Sequence, residues 1–277
     1  MNKSKNSILL VDPEFDPQTA SSCSLLMKIT GDSLSYAIID LEKRQLKAVF
    51  DMQECDPASG ALLHTLKNDS YLQLPFQKIR AAVYTSYHLS VPDAFYQTEK
   101  AAEYSNFFPS GLTGNLYTRP CKEFGFTSVF NIEKSTVKLL EDHLPGAELF
   151  DQHAPALALA GKSETSSLSL DFTAGSFHAV VLENGKLVYL NNFEFENTDE
   201  FNYFLLLIIK QLKLDTKIIQ LQLSGIIHEN DDTYNCLLKY FSKINFTQPP
   251  AGDIDHTILD DMPGHYYSSL IAFDLCV

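Results

Sequence analysis

The same order of predicted strands and helices occurs twice along this chain, and this repetition constrains the fold more than any other sequence feature. In the first half, three short apolar or alternating runs precede a helical spacing and a strand predicted to be covered on both faces, at residues 23–29, 34–40, 45–50, 58–66 and 78–85. In the second half the order returns and ends in one more helix, at residues 167–172, 176–182, 186–190, 198–214, 218–223 and 231–243. Two sheet-plus-helix units that face each other create a cleft, so the sequence predicts an α/β protein with a binding site between two lobes.

The segments between and before these repeats set the expected domain boundaries. Residues 1–22 are mostly polar and are predicted to precede the first lobe at residues 23–163, while residues 164–277 form the second lobe. Within the first lobe, further short strands are predicted at 126–130 and 147–150, with a helix from Ser135 to His143 between them and an amphipathic segment at 154–160. In the second lobe, Asn184-Gly185 indicates a tight hairpin turn.

Composition excludes several classes of function. The chain has 277 residues, of which 45% are hydrophobic, and its 21 Lys and Arg against 35 Asp and Glu give a net charge of -14, which repels nucleic acid and anionic membrane surfaces. The five cysteines are scattered without a Cys-x-x-Cys spacing, so neither a disulfide framework nor a zinc site is expected. Because no apolar run approaches the ~20 residues that span a bilayer, the sequence predicts a cytoplasmic protein without an integral membrane segment.

Several motifs resemble those of a known fold family. The segment 170–176 (LDFTAGS), followed by 180–186 (VVLENGK), is similar to the second phosphate-binding hairpin of the actin-like ATPases, which include actin, sugar kinases and heat-shock ATPases. Among the branches of this fold family, the chain resembles the pilus-assembly branch most. Segments 203–212, 221–225 and 262–267 look like those of a bacterial family of unknown function assigned to that fold. The resemblance implies two tandem RNase H-like βββαβα lobes, each with a mixed five-stranded sheet flanked by helices.

The resemblance also implies where a nucleotide would bind. Active members use a tight hairpin turn and an acidic residue in each lobe for the phosphates and magnesium, and glycines beside the adenosine. The first hairpin of this chain reads Ile29-Thr30-Gly31 where Asp-x-Gly is expected, with Asp32 next; the second keeps Asp171 but has Thr173 before its late glycine, and the adenosine motif is Ser224-Gly225 followed by two isoleucines. The candidate nucleotide-binding residues are Gly31, Asp32, Asp171, Thr173, Gly175, Ser224 and Gly225; no catalytic residue or metal ligand is assigned.

The altered hairpins favour a non-catalytic actin-like module, a pseudo-ATPase that acts as a scaffold or binds a partner protein. Two alternatives stay open: an active ATPase or small-molecule kinase, in which Asp171 organises magnesium and Asp32 replaces the lost carboxylate, and a cytoplasmic partner of a membrane assembly machine. No cofactor is expected, although ATP and magnesium would bind if the cleft were functional. The expected partner is an unidentified protein and not nucleic acid, and a homo-oligomer is left open.

Overall fold

The computed structural model describes residues 6–55, 60–109, 114–161, 165–249 and 254–276. Within these ranges the strands, in chain order, are β1 (Ser7–Val11), β2 (Cys23–Ile29), β3 (Leu34–Asp40), β4 (Gln45–Met52), β5 (Lys78–Val83), β6 (His88–Pro92), β7 (Asn115–Cys121), β8 (Phe126–Ile132), β9 (Glu148–Asp151), β10 (Ser167–Phe172), β11 (Ser176–Glu183), β12 (Lys186–Glu194), β13 (Gln220–Gly225) and β14 (Ile244–Phe246). The α-helices of the same ranges are α1 (Ala61–Asn68), α2 (Lys134–His143), α3 (Ala154–Ala160), α4 (Thr198–Leu212), α5 (Asp232–Leu238) and α6 (Ser268–Ala272).

The first lobe is built on a mixed sheet with strand order β1-β4-β3-β2-β5-β9. Strands β2, β3 and β4 form the predicted antiparallel meander, and β5 and β9 join β2 in parallel. Among the described residues this sheet has six strands and not five, because β1 pairs antiparallel with β4. The segment 1–22, expected to be a polar lead-in, therefore contributes an edge strand, whose four-residue apolar run is too short to stand out by periodicity.

The second lobe repeats this topology with the strand order β12-β11-β10-β13-β14, which matches the five strands expected. Strands β10, β11 and β12 form the second meander, and the turn at Asn184-Gly185 has positive φ at both residues, as the Asn-Gly signal predicts. The helix predicted at 231–243 ends earlier, at Leu238, because the chain must turn to enter β14. A small third sheet, β6-β8-β7, extends from the first lobe.

Each large sheet buries one face against outer helices, and the two helices α3 and α6 lie between the lobes. Alternate residues of β2 and β3 pack on α1 and α2, while the opposite face of that sheet packs on α3 and α6. In the second lobe, β10 and β13 bury their apolar side chains against α4 and α5. Because α6 contacts β2 and β3 of the first sheet as well as β13 of the second, the carboxyl-terminal helix connects the two lobes.

Candidate functional site

The β2–β3 and β10–β11 turns meet between the lobes and have the same local structure. In the first turn, the amide of Thr30 donates to the carbonyl of Ser33 (3.0 Å) and the Ser33 amide donates to Thr30 Oγ1 (2.9 Å). In the second turn, Thr173 and Ser176 make the same two hydrogen bonds, at 2.9 and 3.0 Å. The two turns therefore contain equivalent hydrogen bonds, and each residue of one turn has a defined counterpart in the other.

This correspondence changes which residue replaces the first acidic position. The first hairpin closes at the pair Ile29 and Leu34 and the second at Phe172 and Phe177, so the counterpart of Asp171 is Lys28. The sequence comparison that placed Ile29 at this position is wrong by one residue. Side chains alternate along a strand, and Ile29 faces the outer core, whereas Lys28 faces the space between the lobes. The missing carboxylate is thus replaced by a residue of opposite charge.

Lys28 and Asp171 form an ion pair that joins the lobes. Lys28 Nζ donates to Asp171 Oδ2 at 2.5 Å and to Ser269 Oγ at 3.2 Å, and the Ser224 hydroxyl donates to Asp171 Oδ1 at 2.8 Å. The lysine is 6% and the aspartate 3% exposed, so water screens this pair weakly. Both carboxylate oxygens of Asp171 are therefore bonded within the protein, Oδ2 to the ammonium group of Lys28. We call this contact the interlobe ion pair.

Asp32 makes the second connection between the lobes. Its Oδ2 accepts hydrogen bonds from the Thr173 hydroxyl (2.6 Å) and the Gly175 amide (2.8 Å) of the second turn, and its Oδ1 lies 3.1 Å from Ser176 Oγ. Thr30 Oγ1 donates to the same Oδ1 at 2.8 Å. Hydroxyls and a main-chain amide arranged around two oxygens form an anion site of the kind that binds phosphate, and here the carboxylate of Asp32 occupies it.

Gln53, which follows β4, adds to this contact, although no sequence motif pointed to it. Its Oε1 accepts a hydrogen bond from the Ala174 amide at 3.0 Å. The consecutive amides of Ala174 and Gly175 are therefore both bonded to first-lobe side chains. Gly31 is also closely packed, because a Cβ there would lie 2.8 Å from Glu194 Oε1 and 3.2 Å from the Tyr84 ring. The facing turns leave each other little room for a ligand.

The predicted adenosine motif completes the floor of the cleft. Gly225 has φ of 79°, and a side chain on it would overlap the main-chain carbonyl of Phe172, so the close approach of two strands requires a glycine here whether or not a ligand binds. Its amide donates to the carbonyl of His265 at 2.9 Å. The next residue, Ile226, packs with the apolar cluster around α6. The residue that follows the predicted adenosine motif is thus packed among aliphatic and aromatic side chains.

Asp171 and Ser224 line a cavity of about 230 Å³ that also touches α3, whereas the space on the Lys28 side of the interlobe ion pair is very small. A cavity of about 20 Å³ is lined by Lys28, Asp51, Tyr267 and Ser269 among others. That volume accommodates about one water molecule, whereas small-molecule sites usually measure roughly 300–1,000 Å³. Burial raises the pKa of Asp51 to about 6, and this effect exceeds the opposing hydrogen bond from Gln53 and the nearby charge of Lys28. The seven candidate residues therefore come together, but around contacts between the protein's own side chains.

A buried histidine cluster lies where the two large sheets and the small sheet meet. The rings of His153 and His178 approach at their Nδ1 atoms (3.2 Å), and the ring of His88 lies 4.9 Å from that of His153. Asp151 accepts hydrogen bonds from Ser128 Oγ (2.6 Å) and from the His153 amide (2.8 Å). Sequence reasoning missed this cluster, because the three histidines are far apart in the chain and no spacing connects them.

Burial favours the uncharged imidazoles of His153 and His178. Loss of water lowers the pKa of His153 to about 4, although the charge of Asp151 opposes the shift, and burial likewise lowers the pKa of His178 well below its usual value. Burial raises the pKa of Asp151, but His88, His153 and the hydrogen bonds from Ser128 and the His153 amide together lower it below its usual value. Among the residues that the structure describes, no group of three or more His, Cys, Asp or Glu side chains is arranged to hold a metal ion.

We expect the histidine cluster to make the protein sensitive to mild acid. Below about pH 6.5 the unfolded chain binds protons at His153 and His178 that the folded protein does not, so folding stability falls as pH decreases from 6.5 towards 4, by on the order of 3 kcal/mol for His153 alone. The contribution of Asp51 to the pH dependence of folding stability has the opposite sign. Its pKa in the folded protein, about 6, exceeds the unfolded value, so its protonation below pH 6 stabilises the fold.

Urea unfolding at pH 7 and pH 4.5 checks these signs. The Asp51→Asn variant should lose more stability between the two pH values than the wild type, because the compensating group is gone. The His153→Gln variant should lose less. The opposite order of the two variants would contradict the assignment of the charged states.

Comparisons with known proteins agree with this architecture. A family model described as "Protein of unknown function (DUF3822)" matches residues 12–244. No curated protein matches the chain. Among solved structures, a Bacteroides thetaiotaomicron protein with actin-like ATPase fold and unknown function superposes with a TM-score of 0.72 at 19% identity, over 90% of this chain and 99% of that one.

The PilM–PilN type IV pilus biogenesis complex superposes with a TM-score of 0.63 at 14% identity, over 91% of this chain and 97% of the matched chain. At these identities the similarity shows the fold alone, which confirms the two-lobed prediction. Within the described ranges, no helix has the length and apolar character to cross a membrane. The chain belongs to the DUF3822 family, whose function is unknown, and it has the actin-like ATPase fold.

Proposed function

We propose that this protein is a non-catalytic actin-like module that works as a scaffold or binds a partner protein, with its nucleotide cleft replaced by contacts between its own lobes. The observation that carries the proposal is the position of Asp32, whose carboxylate accepts hydrogen bonds from Thr173 and the Gly175 amide. The interlobe ion pair supports it, since Asp171 is neutralised by Lys28. A triphosphate and its magnesium ion would bind between the β2–β3 and β10–β11 turns. The side chains of Asp32 and Lys28 already connect the two lobes there.

The net charge of the chain also supports a non-catalytic module. A triphosphate needs cations or free amides to balance its charge, but the chain carries -14 overall and Lys28, the lysine in the cleft, is paired with Asp171. The second-turn amides of Ala174 and Gly175 are also bonded. An active ATPase or kinase would have to break these contacts before it could bind its nucleotide.

Calorimetric titration of the full chain with ATP and magnesium tests the proposal. We expect no saturable heat at micromolar concentrations of nucleotide, because binding must first disrupt the interlobe contacts. Micromolar binding that is lost in Asp171→Ala and kept in Asp260→Ala, an exposed acidic position far along the chain, would refute the proposal and favour the ATPase or kinase alternative.

A second candidate function is supported by one comparison. PilM, which has the same fold, is found in complex with PilN in a pilus biogenesis assembly. By analogy, this protein would be a cytoplasmic partner of a membrane assembly machine. Affinity purification of the tagged chain from detergent-solubilised membranes should then recover a membrane protein in defined stoichiometry, and recovery of soluble proteins alone would count against this candidate.

A further inference from the structure

A cavity of 490 Å³ lies beside the histidine cluster, at the carboxyl ends of β5 and β9. Tyr84, Thr85 and Gln152 line it from the first lobe, and Leu190, Asn191 and Asn192 of β12 line it from the second. Its volume lies in the range of small-molecule sites, and the ends of parallel strands are where α/β proteins commonly bind ligands. None of the seven candidate nucleotide-binding residues lines it, so it is separate from the closed cleft.

Gln152 leaves a buried acceptor without a partner at this cavity. The residue is 3% exposed, and its Nε2 donates to the main-chain carbonyl of Thr85 (3.1 Å) and to Asn192 Oδ1 (3.0 Å). A main-chain carbonyl can only accept, so the orientation of the Gln152 amide is fixed. Its Oε1 is buried and has no hydrogen-bond partner. Since a buried acceptor without a donor is costly, this atom calls for an occupant that carries an N–H or O–H group.

His88 presents a second unpartnered polar atom on the lining. Its Nε2 is buried and makes no hydrogen bond, and the nearest acidic oxygen, Asp151 Oδ2, is 4.0 Å away, which is too far for one. The rest of its ring is held against His153. Gln152 and His88 both line the cavity, and each thus has a buried polar atom with unused hydrogen-bonding capacity.

The lining also limits the charge of the occupant. The described residues that line the cavity are Tyr, Thr, Ser, His, Leu, Gln and Asn, and none of them is Lys, Arg, Asp or Glu. A charged ligand would lose its hydration without gaining an opposite charge. Hydroxyl, carboxamide and imidazole groups instead complement a ligand that both donates and accepts hydrogen bonds.

We propose that this cavity binds an uncharged small molecule rich in hydroxyl or amide N–H groups, with Gln152 Oε1 accepting from the ligand and His88 as its second polar contact. The site goes beyond the proposed scaffold function. Because β12 belongs to the second lobe and Gln152 to the first, a bound molecule would bridge the lobes. Binding in this cavity would then stabilise the relative position of the two lobes.

Histidine-ring NMR of the full chain tests this site. The probes are glucose and myo-inositol as polyols, nicotinamide as an amide, and inorganic phosphate as a charged comparison. We expect at least one neutral probe to shift the His88 ring signals saturably, and phosphate to leave them unchanged. A response to the polyols or to nicotinamide alone distinguishes the two sources of the donor group.

The blocking variant is Ser90→Phe, because Ser90 lines the cavity and is exposed at its mouth, so a large side chain fills the entrance without entering a core. The matched control is Ser70→Phe, at an exposed serine away from the cavity. Ser90→Phe should lower the apparent affinity at least tenfold and Ser70→Phe should leave it unchanged. Absence of a saturable shift with every neutral probe, an equal shift with phosphate, or full binding by Ser90→Phe would each overturn the proposal.

Discussion

Lys28→Met should be among the most destabilising single substitutions in this protein. It removes the ammonium group from a pair with an Nζ–Oδ2 distance of 2.5 Å and leaves the carboxylate of Asp171 buried, with Ser224 as its remaining side-chain hydrogen-bond donor among the residues that the structure describes. Breaking one side of a buried ion pair typically costs about 3–5 kcal/mol, because the remaining charge is unpaired. Urea unfolding of the variant and the wild type measures this loss. The double variant Lys28→Met/Asp171→Asn should recover much of it, because no charge is then left behind.

A second buried ion pair provides the control. Lys47 Nζ lies 2.7 Å from Asp12 Oδ2, and both side chains are as buried as those of the interlobe pair, but both belong to the first lobe. Lys47→Met should therefore lose stability without changing hydrogen exchange at the Gly175 amide, whereas Lys28→Met should accelerate exchange there. A loss below about 1 kcal/mol for Lys28→Met, or equal exchange in the two variants, would show that the interlobe ion pair does not hold the lobes together.

The repeated lobes were predictable because each strand carries its own signal. Alternating or continuous apolar runs between turn residues located β2, β3, β10 and β11, and Asn184-Gly185 located a hairpin turn. Strand β1 was not predicted, because it depends on pairing with β4 and not on its own pattern. Strand β14 has three residues and is likewise defined by its neighbour β13. Local hydrophobic periodicity thus identifies strands and helices that bury one face. It does not identify short strands that form only by pairing at the edge of a sheet.

The candidate residues were found in sequence, but their partners were not. Asp32 follows a glycine, where an aspartate is common in turns, and nothing local shows that its carboxylate lies 2.8 Å from an amide 143 positions later. Lys28 stands in an apolar run, where a lysine gives no sign of its partner across the cleft. The histidine cluster requires three separate sheets to meet. Interactions between lobes depend on tertiary geometry that periodicity does not encode.

Asp32→Ala should convert the self-filled turn into an anion-binding site. The substitution frees the amide of Gly175 and the hydroxyl of Thr173, which lie 2.8 and 2.6 Å from the carboxylate in the wild type. Losing hydrogen bonds to a charged group should cost about 2–3 kcal/mol of folding stability, reduced where water enters. The emptied donors are arranged for an oxyanion, so millimolar inorganic phosphate should shift the Gly175 amide resonance and raise the melting temperature of the variant, with no such effect on the wild type.

Asp40→Ala is the matched control for this gain of binding, because Asp40 is a buried carboxylate that also accepts main-chain hydrogen bonds, from Glu42 and Lys43, but entirely within the first lobe. It should lose stability and gain no affinity for phosphate. Chloride at equal ionic strength separates specific binding from screening. If phosphate stabilises Asp32→Ala no more than it stabilises Asp40→Ala, the second turn is not a latent anion site. Specific stabilisation of Asp32→Ala alone would mean that the carboxylate of Asp32 takes the position that a phosphate group would otherwise occupy, and that the lobes are held closed without nucleotide.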